Sequence, residues 1–280
     1  MSQIIMDAIK QYKPVKVLLL FSGGHDSLCS VHYSACFLTS IGVDFIVYHG
    51  NTGIGIRQTR EFVHAVVKRF GWAYYEGLPL PGQTYEDIVR KYGFPGPTLQ
   101  SHRYMYIRLK ERALRKYVTH HCKSSPYARE NVLLLTGVRQ SESKIRMGYK
   151  AHTQKQNSHI WSNPIFYWSK EDCEIYLEHN NLPRNPVKDA ICISGECLCG
   201  AFAGREEWAE ISHRYPEAAQ EIERLHKIAI ANGHPWGWAS GPQQYYKHHP
   251  PKQAAMFMCV GCEERRITSH EDDTSLNTEP

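Results

Sequence analysis

The chain contains no apolar run approaching the roughly 20 residues that cross a membrane as a helix, so a helical span is not expected. Its first residues, MSQIIMDAIKQYKP, lack the long apolar centre of a secretory leader. Charge of one sign is not in strong excess: 33 Lys and Arg against 28 Asp and Glu leave a net charge of +5. That balance suits an anionic ligand but falls short of the footprint of a dedicated DNA-binding domain. Nine cysteines in 280 residues are too sparse for a small secreted disulfide framework. No segment repeats. The expectation is a soluble cytoplasmic protein. Its hydrophobic content of 42% is enough for one large α/β core with a smaller appended unit.

What is present alternates. VKVLLLF (15–21) is a continuous apolar run of strand length, as expected where both faces of a parallel sheet are covered. A helical pattern follows from Ser27 to about Ile41. VDFIVYHG (43–50) reads as a second strand, RQTREFVHAVVKRFG (57–71) as a helix stopped by Gly71, and WAYYEGL (72–78) as a third strand. After a turn-rich stretch come a basic helix from about Ser101 to His120 and the strand NVLLLTG (131–137). HIWSNPIFYWS (159–169) predicts a short strand and then a helix capped by Ser169. This alternation predicts a doubly wound parallel α/β sheet over residues 1–190. Two helices, about 205–214 and 216–232, fall in a Cys-rich, mainly helical unit expected over 191–267. The acidic stretch 268–280 reads as a disordered tail.

The junction after the first strand, FSGGHDS, is where a parallel sheet places its ligands, beyond the carboxyl end of a strand. Gly23 and Gly24 remove two side chains and permit positive φ, so backbone N–H groups can converge on one point. The following helix adds its N-terminal dipole, and Ser22 and Ser27 add hydroxyls, which together make a phosphate cradle. Neither G-x-x-x-x-G-K-[ST] nor G-x-G-x-x-G occurs in the chain. Arg139 and Arg146, seven apart after an apolar strand, can bring planar donor forks to polyphosphate oxygens. Asp26 is a candidate for holding Mg²⁺ through water, and Glu142 for orienting an arginine or that ion.

SGGHDS resembles the SGGxDS pyrophosphate loop of the ATP-pyrophosphatase (PP-loop, HUP-type) superfamily. GNTGIGIRQTREFV (50–63), TGVRQSESKIRM (136–147) and NPIFYWSKEDCEIYLEHNNLPRNPV (163–187) are similar, in the same order, to motifs of its phosphoadenosine phosphosulfate (PAPS) reductase branch, with Asn51 replacing the usual acid. The resemblance implies an adenine nucleotide, ATP or an adenylyl sulfonucleotide, bound with Mg²⁺, and Thr52 and Gly53 as adenosine contacts. Two departures stand out. The E-C-G-x-H motif that carries the nucleophilic cysteine of sulfonucleotide reductases is absent, and Ser101 and His102 stand where the iron–sulfur subgroup has a Cys-Cys pair.

The cysteines cluster late in the chain. Cys197-x-Cys199 and Cys259-x-x-Cys262 supply four thiolates, with Cys192 as a spare, and both zinc and iron–sulfur centres take such sets. Similarity to the ATP-pyrophosphatase of DNA phosphorothioation implies a [4Fe–4S] cluster, with Zn²⁺ as the alternative. The expected function is adenylation of an acceptor for sulfur transfer. DNA or tRNA is a candidate acceptor because the basic helix carries Arg103, Arg108, Lys110, Arg112, Arg115, Lys116 and Lys123 with Tyr104 and Tyr106 interleaved. A cysteine desulfurase or a thioredoxin-like reductant is the partner class. Two other readings stay open: a PAPS or APS reductase producing sulfite, and a non-catalytic, zinc-stapled nucleic-acid-binding module.

Overall fold

The computed structural model describes residues 2–141, 151–201, 203–242 and 247. The chain through Pro242 forms one compact unit. An N-terminal helix α1 (Ser2–Tyr12) leads into β1 (Lys16–Leu20), α2 (His25–Ser40), β2 (Ile46–Gly50), α3 (Arg57–Phe70) and β3 (Tyr74–Gly77). Then α4 (Tyr85–Tyr92) precedes one long helical stretch. That stretch is built of α5 (Leu99–Tyr106), a π-helical turn at Ile107–Glu111, α6 (Arg112–Tyr117) and a second π turn at Val118–Cys122. After it come β4 (Val132–Leu135), β5 (Thr153–Gln156), β6 (His159–Ser162), α7 (Lys170–His179), α8 (Pro186–Ile191), α9 (Arg205–Arg214) and α10 (Pro216–Ala231).

The six strands lie in the order β3-β2-β1-β4-β6-β5. All neighbouring pairs are parallel except β5 with β6. Period-two alternation along each strand divides the core. Val17, Leu19, Val47, Leu133, Leu135 and Ile160 pack with Leu28, Val31, Val63, Val66 and Leu177 on one face. Leu18, Tyr48, Val132 and Leu134 pack under Leu114, Tyr117 and Val118 on the other. Both faces are covered, which is why these strands read as unbroken apolar runs.

Helix ends follow local chemistry. Gly71 stops α3 in the left-handed conformation at φ 64°, and Ser169 caps α7 through a reciprocal box with Asp172. The sequence reading passes over α1, α4, α8 and β5. Strand β5 (TQKQ) is a polar edge strand, turned back onto β6 at Asn157 with φ 57°. Helix α4 lies inside the stretch read as turns, yet Thr84 and Asp87 form a full capping box there. Among the described residues, no helix is long and apolar enough to cross a membrane.

Candidate nucleotide site

From β1 the chain moves out through β2 and β3, then returns to place β4 on the other side of β1. The carboxyl ends of β1 and β4 therefore flank a topological switch point, where open α/β sheets bind ligands. The loop after β1 (Ser22 to Ser27) and the segment after β4 (Thr136 to Arg139) meet there and line a cavity of about 660 Å³.

The loop is held by its own hydroxyls. Ser22 Oγ donates to Ser27 Oγ at 3.0 Å, and Ser27 Oγ donates to the Gly24 carbonyl at 2.8 Å. These hydroxyl protons thus shape the loop, and the donors left for an anion are the first-turn amides of α2, which have no intrahelical acceptor. Gly23 adopts φ 80°, as expected. Gly24 does not: it is extended, at φ −80° and ψ 160°, because it serves as the N-cap of α2. Gly137 is required for a different reason. A Cβ there would lie 2.7 Å from the Asp26 carbonyl oxygen and from Ser27 N and Cα, so β4 approaches the loop backbone to backbone. Asn185, fully buried, completes the mount. Its Nδ2 donates to the Gly23 carbonyl at 2.8 Å while its Oδ1 caps α8 by accepting from Val187 N at 2.9 Å.

Charged groups ring the cavity. Arg139 is buried, with Nε 3.0 Å from Asp26 Oδ2 and Nη1 donating to Ser141 Oγ at 3.1 Å. His25 lies 3.7 Å from Glu174 and 3.5 Å from Asp189. Burial, then the nearby Arg184, holds its pKa below the usual histidine value despite those carboxylates. Hydrogen bonds from Arg184 in turn hold Glu174 and Asp189 low. Lys110 and Glu111, in the first π turn, and Lys170 and Lys188 also line the space; π turns recur at functional sites. Lys110 pairs with Glu196. Burial works against its charge, but Glu196, together with Cys197 and Tyr106, more than offsets it and raises the Lys110 pKa. Leu20, Tyr48, Leu114 and Trp161 supply an apolar lining.

Of the residues singled out in the sequence, Ser22, Gly24, Asp26, Ser27, Arg139 and Cys192 line this one cavity, with Gly23 beneath it. Thr52 does not reach it. Its side chain is fully buried and Oγ1 donates to the Glu196 carbonyl at 2.9 Å. Gly53, at φ 76°, borders open space. Asn51 Nδ2 donates to Glu76 on the neighbouring strand, so a carboxylate does stand beside the position where the family has its acid. Arg146, Glu142, Cys259 and Cys262 lie outside the described residues.

Cys197 and Cys199 influence each other: the neighbouring Cys199 and burial push the Cys197 thiol up, while Cys197 lowers the pKa of Cys199. Among the described residues, no three His, Cys, Asp or Glu side chains converge as a metal site. The basic helix is partly occupied by its own protein: Arg112 reaches Gln83, Arg115 pairs with Glu111, Lys123 donates to Ser158, and Tyr106 faces the cavity. Glu196, Glu174 and Asn185 escape the sequence reading. For Asn185 a signal exists in LPRNPV, since Asn before Pro is a helix-start signature.

Residues 16–264 match the phosphoadenosine phosphosulfate reductase domain. A stretch of 147 residues is 24% identical to an uncharacterized 37.8 kDa protein of Escherichia phage 186, covering 51% of this chain and 43% of that protein. The chain thus spans less than half the length of that relative. Similar solved structures include the PAPS reductase of Candida auris in a phosphate complex, at 15% identity and TM-score 0.48 over 67% of this chain and 83% of that one. Another is the NMN synthetase of Francisella tularensis, at 15% identity and TM-score 0.48 over 91% and 94%. The NH3-dependent NAD synthetase of Campylobacter jejuni aligns at 16% identity and TM-score 0.45 over 91% and 96%. The domain match takes in every strand of the sheet and both walls of the switch-point cavity, and by it this chain belongs to the phosphoadenosine phosphosulfate reductase domain family.

Proposed function

We propose that the protein binds an adenine nucleotide with its phosphates against Ser22 to Ser27 and activates an acceptor by adenylation for sulfur transfer. The observation that carries this reading is the buttressed glycine loop opening on a cavity of about 660 Å³ at the switch point. An acceptor oxygen would attack the α-phosphorus, forming one O–P bond as the bond to the β-phosphate oxygen breaks and pyrophosphate leaves. First-turn amides of α2 and the Arg139 guanidinium, which border the cavity, would stabilise that charge. Mg²⁺, brought with the nucleotide and held by Asp26 directly or through water, would neutralise phosphate charge.

A polynucleotide acceptor is supported by the exposed Arg103 and Lys116 on the basic stretch. Cys197 and Cys199, with Cys259 and Cys262, are our candidates for a [4Fe–4S] or zinc centre. The adjacent thiols of the first pair fit such a centre.

A second reading, reduction of PAPS or APS, is favoured by one observation: the exposed Cys192 lines the same cavity. Its thiolate would attack the sulfonate sulfur, forming an S–S bond as the S–O bond to the nucleotide breaks. An external dithiol would then release sulfite. A product assay under anaerobic conditions separates the two. AMP and pyrophosphate from ATP, stimulated by DNA or tRNA, support adenylation; sulfite from PAPS, abolished by Cys192→Ser, with ATP left intact, overturns it.

A further inference from the structure

We propose that Glu196 is a recognition residue for the nucleoside end of the bound nucleotide, accepting a hydrogen bond from one of its N–H or O–H donors. The inference rests on the nucleotide reading above.

Glu196 is 5% exposed yet lines the cavity. One carboxylate oxygen, Oε2, holds Lys110; the other, Oε1, is buried with no hydrogen-bond partner. A carboxylate paired with an ammonium is an acceptor only, and a buried acceptor without a donor is costly. The backbone gives this side chain no escape. Thr52 Oγ1 donates to the Glu196 carbonyl at 2.9 Å, Ile56 N to the Gly195 carbonyl at 2.7 Å, and Leu198 N to the Ile54 carbonyl at 2.8 Å. Residues on both sides of Glu196 are therefore tied to the segment that follows β2. Gly55 permits this approach, since a Cβ there would sit 2.5 Å from the Glu196 backbone carbonyl oxygen.

The chemistry of the vacant acceptor selects its partner. Ionised phosphate oxygens carry no proton to donate and would be repelled by the carboxylate. The phosphates belong at the loop after β1, whereas Glu196 is tied to the segment after β2, the neighbouring strand. What meets Oε1 is thus a donor from the base or the sugar: the adenine amino group or a ribose hydroxyl.

The test is binding of ATP, inosine triphosphate, 2′-deoxy-ATP and 3′-deoxy-ATP to the full chain by calorimetry. Hydrogen bonds to a charged group contribute about 1.5–3 kcal/mol, which corresponds to losses of about 10- to 100-fold. One of the three analogues should lose that much relative to ATP and so identify the donor. Glu196→Gln should bring the same ratio close to one, and Glu196→Asp, which keeps the charge beside Lys110, should reduce it. Equal binding of all four ligands to the wild-type chain, or an unchanged ratio in both variants, would overturn the assignment while leaving the phosphate loop standing. Absence of ATP binding to the wild-type chain would remove the nucleotide reading and this inference with it.

Discussion

Gly137→Ala is a substitution whose outcome the geometry constrains closely. The added methyl would lie 2.7 Å from Asp26 O, Ser27 N and Ser27 Cα, where ordinary contact begins at 3.4 Å. None of those atoms is the tip of a flexible side chain, so about 0.7 Å of backbone movement is required, and it must come from β4 or from the loop. Strand β4 is central, paired with β1 on one side and β6 on the other, and its four residues are all buried. The loop gives first. Overpacking of this kind costs about 1–3 kcal/mol. If that cost is relieved by displacing the loop, ATP affinity falls about 5- to 100-fold, with a melting temperature lower by roughly 2–8 °C. Calorimetric titration and thermal melts read both quantities. Gly204→Ala, where nothing lies within 4 Å, is the control for an unobstructed methyl: as the N-cap of α9 it should lose at most about 1 kcal/mol of stability and leave ATP affinity unchanged. Wild-type affinity and melting in Gly137→Ala would refute the claim that this contact shapes the loop after β1.

Three more outcomes are expected. Asn185→Ala removes both a cap and the tie to Gly23, and should cost about 1–3 kcal/mol by urea unfolding while also weakening ATP binding. His25, His32 and His159 all have pKa values lowered from 6.5, chiefly by burial. Their neutral forms are favoured in the fold, so stability is complete above the unfolded value of about 6.5 and declines as pH falls below it. Urea midpoints at several pH values should show this decline, and His32→Phe should make it shallower. Finally, Cys259→Ser with Cys262→Ser should strip bound metal from anaerobically purified protein, as measured by elemental analysis; full retention would show that other ligands hold it.

Legibility in the sequence tracks burial and local chemistry. Strands β1, β2 and β4 stand out because VLLL-type runs are needed where both faces are covered, and α3 because Gly71 marks its end. Strand β5 is illegible as TQKQ: at a sheet edge nothing obliges a residue to be apolar. The glycine loop after β1 is readable because its glycines and the helix start are contiguous. Of the two glycines that permit positive φ, Gly23 alone uses that freedom, and Gly24 is extended as the N-cap of α2. Asn185 and Glu196 lie 162 and 144 residues from the groups they bond, Gly23 and Thr52, and no local pattern encodes such pairings. Lys110 is visible only as one basic residue among several, since its partner is supplied by a distant loop.

The double engagement of Asn185 has a consequence for cooperativity. One amide group closes the start of α8 and clasps the turn at Gly23, so the turn cannot open without uncapping the helix. Thr59 Oγ1, donating to the Ser194 carbonyl at 2.6 Å, draws the far end of the same segment onto α3. The turn at Gly23, α8 and the start of the Cys loop therefore form a single opening unit, although the turn is far from the other two in the chain. A ligand that rigidifies the turn would slow amide exchange along α8 and the residues that follow it, including Val187 and Asp189, which do not line the cavity.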